Sequence, residues 1–429
     1  MHQPTSIPAP APGLLRVHAT LLVLTLINLL NYLDRYVISG MLPLVQAEFG
    51  RSDAQMGVLS SSFLVVYALA SPITGFYGDR LPRKWFVGGG VLVWSAATVW
   101  SGLAGSFNEL LLARALIGIG EAGYAAVAPG MISDLYDVRR RGRMLSLFYA
   151  ALPVGSALGF TLGGAIGEHH GWRNAFFVAG VPGLVLGLLA LWMREPARGG
   201  ADEHRFGAEG VSLAVILGTL ARTRSYLVNT AGYTAATFAM GGLAAWWPTF
   251  LYRVRGVPLD RAGFLFGATL VVAGFLGTLA GGWLGDRIHA RNRGGYFLAS
   301  GIGLLLATPA GLVAVLGGAP ALYWSATFLA LFFLFFNTGP LNAAICNVVP
   351  PTMRASAIAV NVLAIHMLGD AISPWLIGKV SDASDLGTGI VLNCGAIALA
   401  GLILVAGAGV LRRDMDAIAA GLSPARRGR

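Results

Sequence analysis

Cysteine, lysine and charge are all scarce in this chain. The two cysteines, Cys346 and Cys394, have no metal-ligand spacing and offer no disulfide framework. The two lysines, Lys84 and Lys379, precede Trp85 and Val380, so no Walker lysine with its Ser or Thr exists and ATP hydrolysis by this chain is excluded. Neither H-E-x-x-H nor G-x-S-x-G occurs, which removes the usual zinc-protease and serine-hydrolase signatures. Charged residues make up 12% of the 429 positions, about half the share of a soluble domain. Against this stands a hydrophobic fraction of 55%. Water is not the main solvent of such a chain.

A membrane crossing takes ~20 mostly apolar residues, and the sequence offers twelve such stretches. They lie near 17 to 42, 54 to 77, 85 to 105, 109 to 133, 144 to 167, 174 to 193, 225 to 251, 261 to 285, 295 to 317, 320 to 348, 355 to 378 and 387 to 411. Unpaired backbone groups are too costly in lipid for anything but helices or closed barrels, and runs of this length fit helices. The expected fold class is therefore all-α integral membrane. The first run lacks a small-residue cleavage site, is too long for a signal-peptide core and carries Asp34 and Arg35, so it is an uncleaved span. Both cysteines fall within expected spans and are read as packing residues.

The net charge of +10 reflects topology rather than a nucleic-acid partner. With both termini cytoplasmic, the basic residues in external loops are Arg51, Arg173, Arg253, Arg255, Arg261 and Lys379; Arg35 and Arg114 lie inside spans, and the rest are cytoplasmic. That asymmetry follows the positive-inside rule. The composition suggests a bacterial protein of the plasma (inner) membrane.

Gly78-Asp79-Arg80 ends the second span and Gly285-Asp286-Arg287 ends the eighth, at the equivalent place in a second set of six. The chain is internally duplicated. Residues 1–193 form the first six-helix bundle, 194–224 a linker, 225–412 the second bundle and 413–429 a cytoplasmic tail. Parallel repeats of this kind belong to secondary transporters, which bind substrate near the bilayer midplane between the halves. The linker stretch from Val211 to Leu220 is apolar enough for a short surface helix, although a plain tether fits equally.

The loop Gly75 to Lys84, with Asp79, Arg80 and Arg83, resembles the signature loop of the major facilitator superfamily. By that resemblance Asp79, Arg80 and Arg83, with Asp286 and Arg287 in the repeat, gate the cytoplasmic side. The alternative is a topology signal that keeps the loop inside.

Ionisable groups inside spans cost about 2.5 to 3.5 kcal/mol each on insertion scales, so they face a cavity or a partner. Arg114 and Glu121 in the fourth span are seven residues, two turns and about 10 Å apart on one face. Asn28, Asn31, Tyr32 and Arg35 form a polar stripe on the first span, with Asp34 beside it. Asp34, Arg35 and Arg114 should lie at similar depth and Glu121 nearer the midplane. These positions suggest that Asp34 pairs with Arg114 while Glu121 carries a proton; a static salt network joining the two spans is the competing reading. His366 and Asp370, four apart in the eleventh span, are a proton relay, a substrate contact or a hydrogen-bonded core pair.

Gly155, Gly159, Gly163 and Gly167 repeat every four residues, and Gly274, Gly277, Gly281 and Gly285 show a similar bias. Such a face suits a sliding helix contact or static packing. Trp246, Trp247, Tyr252 and Tyr323 are expected in the interfacial aromatic belt.

Asn31 to Tyr36, Arg114 to Tyr124, Leu152-Pro153-Val154-Gly155-Ser156 and His366 to Asp370 with Ser373-Pro374 resemble the Spinster family within that superfamily. Animal members export sphingosine 1-phosphate or move lysophospholipids, and a proton drives some of them. The resemblance carries functional roles to Asp34, Arg35, Arg114, Glu121 and His366; with the polar stripe and the His366–Asp370 spacing added, proton coupling is expected at Asp34, Glu121, His366 and Asp370, and substrate contact at Asn31, Tyr32, Arg35 and Arg114. Gly123 and Ala125 depart from the family, whose animal members carry serines there. The expectation is a monomeric, proton-coupled transporter of an amphiphile, surrounded by membrane lipids, with no cofactor beyond the proton and no metal. A small organic anion or drug is the alternative cargo, and a passive facilitator or a lipid-modifying enzyme the alternative class.

Overall fold

The computed structural model describes residues 14–78, 80–197 and 212–419, and all regular structure among them is helical. In the first half, α1 is Leu14–Phe49, α2 Asp53–Gly78, α3 Trp85–Leu103, α4 Phe107–Leu135, α5 Val138–His170 and α6 Trp172–Trp192. A linker helix, α7, covers Leu213–Arg222. The second half comprises α8 Arg224–Arg253, α9 Leu259–His289, α10 Gly295–Leu316, α11 Pro320–Val348, α12 Pro351–Ala383 and α13 Leu386–Ala419.

Among the described residues, eleven of these segments are long and apolar enough to cross a membrane. The remaining helix of crossing length, α8, has 30 residues but carries Asn229, Thr230, Tyr233, Thr234 and Thr237. Its polar side faces protein: Thr230 donates to Asn361 Oδ1 at 2.9 Å, and Tyr233 and Thr237 line the central cavity.

Local signals set the helix ends. Ser106 caps α4 by accepting from the Glu109 amide, while Glu109 accepts the Gly105 N–H at 2.8 Å. Asp137 caps α5 and Ser212 caps α7. Gly171, at φ 85°, turns the chain between α5 and α6 in a region that side chains avoid.

Two long helices are broken beside the central cavity. α11 is interrupted at Phe336–Asn337. α12 widens into a π turn at His366–Asp370 and restarts at Ser373 with Pro374 in its first turn. Pro374 has no N–H to give the Asp370 carbonyl and its ring crowds that carbonyl. A widened turn follows, as often occurs at functional positions.

Within the first half α1 packs on α5, α2 on α4 and α3 on α6; within the second, α8 and α10 pack on α13 and α9 on α11. The halves meet along α2 with α12, α5 with α9, and α1 with α8. The Gly155, Gly159 and Gly163 face rests on the α1 backbone at Leu29, Leu33 and Val37. Gly277 and Gly281 rest likewise on the α11 backbone at Phe332 and Phe336. Both rows fasten helices of the same half, so neither is a sliding contact between halves. The aromatic belt also needs correction. Trp246 and Trp247 are 0% and 2% exposed, and Trp246 donates to the Pro374 carbonyl. Tyr323 is buried as well; only Tyr252 is exposed. A hydrogen-bonding ring beside the restart of α12 at Ser373 and Pro374 finds a partner in protein rather than at a lipid boundary.

The linker helix is present from Leu213 onward. Ile216 and Leu220 pack inward while Leu213, Val215 and Leu217 stay exposed, so an apolar strip faces away from the protein. Val211 lies outside the described residues.

Candidate functional site

The polar stripe of α1 meets α2, α3 and α4 in the interior of the first half. Asp34 Oδ1 lies 3.9 Å from Arg114 Nη1, which also donates to the Asp34 carbonyl at 3.3 Å. Thr98 of α3 donates to Asp34 Oδ2. Arg35 Nη2 donates to Glu121 Oε2 at 2.7 Å. Glu121, Arg114 and Asp34 are 0%, 1% and 2% exposed. The four charged groups thus form two acid–base pairs across α1 and α4.

Sequence spacing alone did not pair Arg35 with Glu121. A helical side chain of arginine length reaches toward the next turn of its neighbour, so Arg35 bridges the offset in depth between itself and Glu121. Its guanidinium lies 4.9 Å from the Tyr32 and Phe63 ring centres and 5.0 Å from that of Tyr67. Three aromatic faces hold one cation, an arrangement favourable where water is scarce. Thr98, Phe63 and Tyr67 were not picked out from the sequence, because a hydroxyl or ring inside an apolar helix has no distinguishing pattern.

Beside these pairs lies a central cavity of about 580 Å³ between the halves. Arg35, Arg114, Asn31 and Tyr32 line it from the first half, and His366 and Asp370 from the second. Asp34 and Glu121 sit behind the arginines and do not line it. Asn31 Nδ2, Glu121 Oε1 and the Nε atoms of Arg35 and Arg114 have no hydrogen-bond partner among the described residues. Buried donors and acceptors left over in this way are capacity for a ligand, a proton or ordered water. Across the cavity His366 Nδ1 lies 2.8 Å from Asp370 Oδ2. Away from the charges the wall is mostly aliphatic and aromatic, including Phe148, Met240, Leu334 and Phe335.

The cavity extends toward the end of the molecule that bears the basic loops, where Pro129, Phe148 and Tyr149 line it. At the opposite end the halves touch backbone to backbone, Gly57 against Pro374 and Gly263 against Phe160.

The two Gly-Asp-Arg loops, both expected to gate the cytoplasmic side, differ. Arg83 is 7% exposed. It donates to Asp134 Oδ2 at 2.6 Å, Glu195 Oε1 at 3.2 Å and the Pro196 carbonyl at 2.9 Å. It thereby ties α3 to the end of α4 and the start of the linker. Arg80 instead lies over the Phe76 ring at 3.5 Å, and Asp79 lies outside the described residues. In the repeat, Asp286 accepts from the Tyr296 hydroxyl at 2.9 Å and Arg287 stands 5.4 Å from the Trp283 ring. Ala290 occupies the position corresponding to Arg83, which removes the hub of the network.

Comparison with known proteins agrees with this architecture. The sequence profile of the Major Facilitator Superfamily matches residues 24–374. Protein spinster of Drosophila melanogaster is 35% identical over 379 residues, 85% of this chain and 62% of its own length. Protein spinster homolog 1 of Rattus norvegicus is 37% identical, covering 86% of this chain and 74% of its own. The sphingosine-1-phosphate transporter SPNS2 of Mus musculus is 33% identical over 84% of this chain and 69% of its own. The chain thus spans about 62% to 74% of these three relatives. In structure it is similar to a bacterial homolog of the human lysosomal transporter Spinster in an inward-facing, unoccupied conformation. The TM-score is 0.82 at 25% identity, over 94% of this chain and 98% of that one. The nucleoside transporter NupG shares the fold at TM-score 0.71 and 13% identity, over 90% of this chain and 99% of that one. With its two six-helix halves, central cavity and paired buried charges, this chain is a multi-pass membrane transporter of the major facilitator superfamily and belongs to its Spinster family.

Proposed function

We propose that the protein moves a single-tailed amphiphile with an anionic head, of lysophospholipid or sphingosine-phosphate type, and that a proton drives the movement. The observation that carries this reading is the buried Glu121 held at 2.7 Å by Arg35, whose guanidinium also borders the cavity, where Phe148, Met240, Leu334 and Phe335 supply apolar wall. While Glu121 is ionised it occupies Arg35. Protonation of Glu121 releases the guanidinium, and a phosphate or carboxylate head then takes its place. Arg114 and Asp34 form the second pair of the same exchange, with Thr98 steadying the Asp34 carboxylate. The aromatic faces around Arg35 hold it while it changes partner. His366 and Asp370 serve the proton path from the second half. The apolar wall suits an acyl or alkyl tail better than the polar lining a small organic anion needs.

In the orientation that the basic loops favour, the loop carrying Arg83 and both termini are cytoplasmic, and the cavity faces inward. Arg83, Arg80, Asp79, Asp286 and Arg287 would then act at the inner gate during alternating access. The protein works as a monomer in the plasma membrane, with the proton as its coupling ion.

Proteoliposomes with an imposed pH gradient and labelled lysophospholipid test the proposal, with wild type and Glu121→Gln compared at equal protein. Gradient-driven lipid movement in the wild type and its loss in the variant are the expected results. A folded wild type that moves a small organic anion but no lipid would transfer the assignment to that cargo.

A further inference from the structure

At the end opposite the basic loops, the halves are joined by the same device twice. At the first seam Asp382, near the end of α12, accepts the backbone N–H groups of Asp53 and Ala54 at the start of α2, at 2.8 and 2.9 Å. At the second seam Glu168, near the end of α5, accepts the N–H of Asp260 at the start of α9, at 2.7 Å. α5 and α12 are the fifth long helices of their halves, and α2 and α9 the second. Each seam therefore places an acid from the fifth helix of one half on the N-terminus of the second helix of the other.

The repetition extends to the residues that allow the approach. Gly164 stands four before Glu168 and Gly378 four before Asp382. Gly378 lies against the Asp53 backbone and Gly164 against that of Leu259. The capped helices answer with Gly57 against Pro374 and Gly263 against Phe160. A Cβ at any of the four would meet backbone, which cannot yield.

We propose that these two reciprocal caps, Asp382 on α2 and Glu168 on α9, are the latch that holds the halves together at this end, and that both must break for the opposite-facing state to form. A helix start has unpaired N–H groups and a partial positive charge, so it binds a carboxylate at close range. Opening either seam exposes both the N–H groups and the acid to water, which satisfies them again at little cost. Such a contact favours closure and still releases, unlike a fully buried ion pair.

Side chains reinforce the first seam. Asp53 accepts from Arg253 of α8 at 2.8 Å and from Ser381 of α12 at 2.5 Å, both in the other half, and from Gln46 of α1 at 2.7 Å. Among the described residues the second seam has only His169 beside Asp260, at 3.5 Å, with the histidine exposed. Asp382 therefore closes the stronger seam. The inference rests on family membership and on these contacts, and is independent of the substrate and of the proton.

The test is the distance between halves at this end in the full chain in lipid nanodiscs. Spin labels on Arg51→Cys and Ser384→Cys, in a background of Cys346→Ser and Cys394→Ala, are read by pulsed electron paramagnetic resonance. Asp382→Ala and Glu168→Ala should each raise the ratio of long to short distances by up to about tenfold, the scale of a lost cap. The double variant should multiply the two factors, since the seams share no residue. Glu168→Gln keeps the one accepting oxygen that its cap uses and should stay close to the parent. A folded double variant with the parental distance distribution would overturn the proposal. If the alanine variants do not fold, Asp382→Asn, which turns an NH2 group toward one of the two backbone N–H groups that Asp382 now accepts, must still lengthen the distance; an unchanged distribution there overturns the proposal too.

Discussion

Arg35 is the residue on which the proposed chemistry turns. It is bound to a fully buried acid, boxed by Tyr32, Phe63 and Tyr67, and open to the cavity on its remaining side. Removing one partner of a buried pair leaves an uncompensated charge, at a cost of about 3–5 kcal/mol. Glu121→Ala is therefore expected to lower the thermal melting point of the detergent-solubilised protein clearly, whereas Glu121→Gln, which keeps shape and an accepting oxygen, should melt closer to wild type. An unchanged melting point for the alanine variant would mean that water already reaches the pair. Arg35→Lys keeps the charge but loses the planar fork and the stacking. It should raise the KM for lipid roughly tenfold, the worth of about 1.4 kcal/mol of head contact, with a smaller effect on maximal rate. The presence of buried charge was legible in the sequence because ionisable residues inside apolar runs are rare; so were the residues that form the Asp34–Arg114 and His366–Asp370 pairs, which are close in spacing or depth. The link from Arg35 to Glu121 was not, since it depends on how far a long side chain reaches between helices.

At the scale of the element, glycine decides which helices approach and proline decides where they break. Gly163 lies on the Val37 carbonyl of α1, while a Cβ added at Gly282 of α9 would meet nothing within 4 Å. Gly163→Val should overpack the α1–α5 contact by about 1–3 kcal/mol, read as a lower melting point and a poorer yield of monodisperse protein. Gly282→Ala should be neutral or stabilising by up to about 1 kcal/mol, the difference in helix propensity. Equal effects from the two would refute this account of the face. The repeating glycines were visible in the sequence, but which partner they meet was not, because a flat face is equally suited to any neighbour. The expected belt position of Trp246 and Trp247 failed for a related reason. Tryptophan suits any boundary between apolar and polar groups, and here Pro374 supplies the polar group.

For the whole molecule, duplication gives two halves of one fold with unequal trim. The basic end carries its Arg83 hub in the first half alone, with Asp134 and Glu195 as partners, while the opposite end carries its caps twice. The span pattern and the repeated Gly-Asp-Arg made the architecture readable from the sequence. Ala290 stands where Arg83 would fall, so the missing hub of the second half is itself a matter of sequence, but what the hub binds is not. The partners of Arg83 come from distant segments, joined to it only by folding.

Lipid and proton movement in the same vesicle test the central claim most directly. Proteoliposomes enclosing a pH-sensitive dye, with no imposed pH gradient and their membrane potential clamped, are given an external pulse of lysophospholipid. The account predicts a change of internal pH that follows lipid entry with wild type and is absent with Glu121→Gln. Lipid entry at the wild-type rate with no proton movement would contradict it and make the protein a passive facilitator.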